Sequence, residues 1–246
     1  MTHMEIAIRR YGLALLDRPI LSPVRAVASV LCTANSPGVW DFMVVLPDKQ
    51  FAKFAKAHGQ SVVIDDHDAP HGQPVFARIV SRKWIREDFK RRLPIALWVY
   101  SNSLRVQDNG TWLDILISRA SSAFERNRPR DLRSKYLALR QERHNLRYAV
   151  RARYTSSVAL IKAAFYKLAV ELVYIQERRP YPYRILLPVA AEVETEAGKA
   201  LLPLLTDFLE ATGPRIIELT DEIIVMLHNI LDIPQHVKNE WWLHLE

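Results

Sequence analysis

At 246 residues the chain is long enough for one large domain or two small ones, each with a substantial core. Hydrophobic residues make up 49% and charged residues 25%, the balance of a globular protein, and the single cysteine, Cys32, excludes an intramolecular disulfide and a Cys-rich zinc site. The net charge of +7 is unevenly placed: +4 over residues 1–125, +11 over 126–184 and −8 over 185–246.

That asymmetry has two readings. The basic middle is a face for phosphate or nucleic acid, or the acidic tail lies along it as internal complement. No apolar run reaches the roughly 18 to 20 residues that span a bilayer. The N-terminus, MTHMEIAIRRYG, carries no signal-peptide core. A cytoplasmic protein with no membrane partner is the expectation.

In chain order, Met4–Asp17 reads as a helix. Ala26–Leu31, Phe42–Leu46, Ser61–Ile64, Val75–Ser81 and Ser103–Asp108 read as strands, short apolar runs bounded by turn residues. Helices are expected between them at Lys49–His58, with Phe51, Phe54 and Ala55 on one face, and at Trp84–Arg92, with Trp84, Ile85 and Phe89 together. A further helix, Leu113–Phe124, follows the turn at Asn109-Gly110.

Beyond residue 130 the pattern is helical throughout. Apolar positions from Leu132 to Ile175 recur at spacings of three and four. They imply one very long helix, or two nearly collinear ones broken near Thr155-Ser156-Ser157. Pro180 to Pro182 end it. Arg184–Glu192, Thr195–Ala211 and Pro214–Leu231 follow as helices, with Gly213 and Pro214 at the last boundary and a short terminal helix after Ile233.

The fold class expected is α+β: a small mixed-sheet N-terminal domain over 1–125, then an all-α helical bundle over 130–246. The join is expected in RNRPRD, Arg126–Asp131.

Four stretches could carry chemistry. In SPGVWDFMVVLP, Ser36–Pro47, one carboxylate, Asp41, opens a hydrophobic strand. Carboxylates at i and i+2 on a strand share a face and can bridge two Mg²⁺ ions for phosphoryl transfer. Here positions 39 and 43 are Val and Met, so Asp41 stands without that partner. It is either a remnant metal ligand or the polar first residue of a buried strand.

DDHDAPHG, Asp65–Gly72, offers carboxylates and imidazoles of a metal-binding kind, or a solvated hairpin loop. The basic segment holds Arg133, Arg140, Arg143, Arg147, Arg151 and Lys162 at helical spacing beside Tyr136, Tyr148 and Tyr154. Such a face could follow a nucleic-acid backbone, with Arg143 and Arg147 at its centre, or pair with the acidic helices of 192–222. Arg178, Arg179, Tyr183 and Arg184 surround a proline-pinned turn suited to phosphate, or they complement a helix C-terminus. The sequence contains no GxxxxGK[ST], GxGxxG or GxSxG pattern.

The order helix, VRAVASVLCT, loop, WDFMVVL, helix, VFARIVS resembles the nucleotidyltransferase superfamily. So do LPIALWVYSNSLRVQDNGTWLDIL, Leu93–Leu116, and VYIQERRPYPYRILLP, Val173–Pro188, the latter similar to the helical-domain segment of aminoglycoside-nucleotidyltransferase-like proteins.

The resemblance implies a mixed-sheet palm, a helical bundle and, in an active member, Mg²⁺. It places the family's phosphate-holding Gly-Ser at Cys32-Thr33, where Thr33 keeps a hydroxyl. It places the metal carboxylates at Val39, at Asp41 and within VFARIVS, which has Arg78 and no acid. One of three ligands remains. The expectation is a protein with an eroded metal site that binds a nucleotide or other phosphorylated ligand in an interdomain cleft through Thr33, Arg178, Arg179, Tyr183 and Arg184. The alternative is a non-enzymatic binder of nucleic acid or a protein partner. A third reading is a live enzyme that recruits other acids, such as Asp65, Asp66 or Asp108.

Overall fold

A computed structural model describes residues 2–33, 39–60, 62–66, 74–91, 93–108, 110, 112–184 and 186–244, with the side chain of Asp66 left aside. The chain divides into two compact units, Met1–Ser122 and Ala123–Glu246. Among the described residues no helix is long and apolar enough to cross a membrane.

The first unit is built on one five-stranded sheet. Its strands are β1 (Ser29–Thr33), β2 (Trp40–Leu46), β3 (Val63–Asp66), β4 (Val75–Ser81) and β5 (Ser103–Gln107), in spatial order β3-β4-β2-β1-β5. The β2–β4 pair is parallel and the other pairs are antiparallel, so the sheet is mixed.

Along β2, Trp40, Phe42, Val44 and Leu46 point to one face and are buried there. Helix α1 (His3–Leu15) covers that face with Ile8, Tyr11 and Leu15, an i, i+3, i+7 stripe. Thr2 and Glu5 form a reciprocal capping box at its start. Helix α2 (Asp48–His58) adds Phe54 to the same core. Gly12 is required by the contact: a Cβ there would lie 2.8 Å from Phe42 Cε1 and 2.9 Å from Val106 Cγ1.

Helices α3 (Arg82–Lys90) and α4 (Pro94–Asn102) supply further large apolar groups of this unit, among them Ile85, Phe89, Trp98 and Tyr100. Trp84, expected with Ile85 and Phe89 on a buried face, is instead exposed.

Helix α5 spans Trp112–Arg151 without a break. The helix expected to stop at Phe124 therefore continues through Arg126–Asp131, Pro129 included, although proline removes one backbone donor from the ladder.

Helix α6 (Thr155–Gln176) corrects the collinear alternative. Lys135 Nζ lies 2.6 Å from Glu171 Oε2, and Arg128 donates to the carbonyls of Ile175 and Gln176. Residues equally far before and after the turn thus meet, so α6 folds back along α5 as an antiparallel hairpin. Two turns close with the same device. At the end of α5, Arg153 N–H bonds to Val150 O and Tyr154 N–H to Ala149 O. At the end of α6, Arg178 N–H bonds to Ile175 O and Arg179 N–H to Tyr174 O. These are Schellman closures, with Arg153 (φ 59°) and Arg178 (φ 60°) in the left-handed position usually held by glycine.

Helices α7 (Leu187–Glu194), α8 (Glu196–Glu210), α9 (Arg215–Ile230) and α10 (Gln235–Asn239) complete the second unit, with a final 3₁₀ turn at Trp241–His244. The α+β class, a small mixed sheet followed by helices, is the observed one.

Candidate functional site

The face of the sheet opposite α1 is mixed: Leu31, Val45 and Val80 are buried on it, and polar residues gather towards the end where Asp41 lies. Register neighbours share a face, so the row Asp65, Phe76, Asp41, Thr33, Ser103 crosses it from β3 to β5. The next row is Val63, Arg78, Met43, Leu31, Arg105.

Asp41 is 30% exposed and Arg78 54%, and Arg78 Nη2 stands 3.7 Å from Asp41 Oδ2. Burial pushes the Asp41 carboxyl above its ordinary value, and the Arg78 charge only partly offsets this. Arg78 is also within electrostatic reach of Asp88, whose Oδ2 accepts a hydrogen bond from the buried Tyr100 hydroxyl at 3.2 Å. Arg105 is paired with Asp114.

Thr33 is nearly buried, and its Oγ1 lies 3.0 Å from Ser103 Oγ, which donates to Val99 O. Cys32 points into the α1 core. Burial, helped by the nearby Asp41 charge, pushes its thiol up to about 12, so it behaves as a small hydrophobe.

Among the described residues of the sheet, no second carboxylate stands beside Asp41. Asp65 is the next carboxylate in Asp41's row, but it is two strand spacings away, about 10 Å, with Phe76 between. Asp108 accepts from Ser29 Oγ, at the opposite end of β1 from Thr33. Among the described residues no three His, Cys, Asp or Glu side chains gather as a metal site. The loop candidates His67, Asp68 and His71 lie outside the described residues, as does the Pro37-Gly38 turn.

The other sequence candidates belong to the second unit. Arg178, Arg179 and Arg184 are exposed and Tyr183 is half-buried. Arg178 and Arg179 are the two residues that close the end of α6. Arg143 is turned inward and bonded to Asp221 of the acidic α9, while Arg147 faces solvent. Arg140 donates to the Tyr136 hydroxyl at 2.7 Å and lies over Trp241. The Tyr136 hydroxyl is in turn 2.6 Å from His228 Nε2, a part-buried polar contact that spacing alone does not reveal. The basic stripe is therefore divided, with Arg140 and Arg143 spent on internal contacts.

Compared with known proteins, the chain matches no family model and no curated protein. Among solved structures it is similar to a nucleotidyltransferase-like protein from Exiguobacterium sibiricum 255-15. The identity is 12% and the TM-score 0.47, over 98% of this chain and 78% of that one. A likeness at this level carries nothing about ligands or chemistry.

Proposed function

We propose that this is a nucleotidyltransferase-like protein whose metal site is reduced to Asp41, and that the partly exposed end of its sheet around Asp41 and Arg78 binds a nucleotide or other phosphorylated ligand without metal-dependent transfer. The observation that carries the reading is the Arg78–Asp41 pair. Where the resemblance leads one to expect an acid on β4, a guanidinium stands beside the remaining carboxylate. Metal-assisted transfer gathers anions around cations. Here a permanent cation already occupies that neighbourhood, and a half-exposed arginine fork is itself a phosphate ligand.

The pair also sets the terms of binding. A phosphate must draw Arg78 away from Asp41. Burial already disfavours the charged form of Asp41, so its negative charge is held weakly. Neutralising Asp41 releases Arg78 for the ligand. Asp41→Asn should therefore tighten binding of a nucleoside triphosphate in EDTA, by roughly threefold or more. Arg78→Met should weaken it by about tenfold.

A metal-dependent enzyme behaves in the opposite sense. There, stabilisation by the triphosphate requires Mg²⁺ and disappears in the Asp41 variant. Calorimetric titration of ATP, GTP, CTP and UTP, with and without Mg²⁺, separates the two. No binding of any of them under either condition sinks both.

A further inference from the structure

A cavity of about 370 Å³ lies in the second unit, where the α5–α6 turn meets the α8–α9 corner. Its volume is at the lower end of small-molecule pockets, about 300–1,000 Å³. Val150, Val158, Ala159 and Ile216 form apolar walls. Two cations line it, Lys162 and Arg153, and no acidic residue does.

Lys162 belongs by spacing to the basic stripe, yet the structure buries it to 8% exposure. Its ammonium donates to Leu209 O at 2.6 Å and Ala211 O at 2.8 Å, at the C-terminal end of α8, where the helix dipole favours a cation. The Phe208 ring lies 5.5 Å away. Carbonyls and a ring solvate the charge without neutralising it. Among the described residues Lys162 has no carboxylate partner, and burial pushes its pKa down accordingly. Lysines are almost never fully buried unless paired, because an isolated buried charge is costly. An ammonium has three donors, and two are used here.

We propose that this cavity binds a small molecule with an apolar body and a single carboxylate. The carboxylate pairs with Lys162 and Arg153, and the body fills the Val150–Ile216 walls. Charge complementarity selects the headgroup, and the volume limits the body to a short chain or one ring. The site lies in a different unit from the sheet face and stands or falls independently of it.

The test uses the full chain with octanoate as probe and octanol as its uncharged counterpart. By calorimetric titration octanoate should bind about tenfold more tightly than octanol, the increment of one charge-assisted contact. Lys162→Met keeps the stem and removes the charge, and it should bring the two affinities together. Should that variant fold poorly, Arg153→Gly serves instead. It removes the second cation at a left-handed position where glycine is at ease, and it should weaken octanoate while leaving octanol unchanged. Equal affinities in the unmodified chain, no binding of either probe, or octanoate binding unchanged in either folded variant overturns the proposal.

Discussion

On one face of the sheet Phe42 meets α1 so closely that Gly12 has no room for a methyl group. One residue earlier on β2, and on the other face, Asp41 stands 30% exposed beside Arg78. Behind, the strand is buried along its length; in front, Val45 is buried as well, and only Asp41 and Met43 at its first end are partly exposed. A fold arranged this way can vary the side chains at that partly exposed end and keep its backbone unchanged. The front is where chemistry can be lost or altered.

The sharpest way to break this contrast is Phe42→Ala. Its side chain is fully buried, and truncation should cost about 4 kcal/mol in urea unfolding through lost transfer energy and the cavity left behind. A cost under about 1 kcal/mol would show that the α1 face is not the closed one. Gly12→Ala adds one methyl to the same contact and should cost about 2 kcal/mol, the range for overpacking.

Asp41→Asn should act with the opposite sign. Burial raises the Asp41 pKa above 3.8, so the folded protein holds that proton more tightly than the unfolded chain does. The ionised carboxylate then costs stability above the folded pKa, and the cost vanishes below 3.8. The variant should melt slightly higher than the parent at pH 7, with the difference closing as the pH falls towards 3.8. A difference constant across that window would mean that Asp41 does not titrate upward. The smallest effect is expected for Arg78→Met, under about 1 kcal/mol, because Arg78 itself is 54% exposed and the pair is 3.7 Å apart. That variant should change ligand binding far more than melting.

Much of the sheet was legible before the structure. VFARIVS is a short, largely apolar run rich in β-branched residues, and β4 takes that span, Val75–Ser81. LPIALWVYSN carries no period, because it is apolar all round, and α4 has no sequence signature to match. The helical stripe from Leu132 to Ile175 revealed a buried face but not a direction. Its reversal lies at Arg153, a left-handed residue that a search for glycine passes over.

At the site, the absence of an acid from β4 was readable, since it is a matter of composition. That Arg78 reaches Asp41 is a matter of register across a parallel pair, offset by two residues along the strand, and no local pattern encodes it. Spacing grouped Lys162 with the basic stripe. Its burial depends on the α8 terminus, which is some fifty residues further along the chain.

The arginines at 153 and 178 bear on how this chain tolerates variation. A left-handed backbone costs a residue with a side chain about 1 kcal/mol relative to glycine, so glycine or asparagine is the easy occupant of each corner. Among divergent versions of the chain, drift to Gly or Asn at either position would mark a corner that serves only to reverse the backbone. Persistence of Arg or Lys against that conformational preference would mark a charge retained for what it touches.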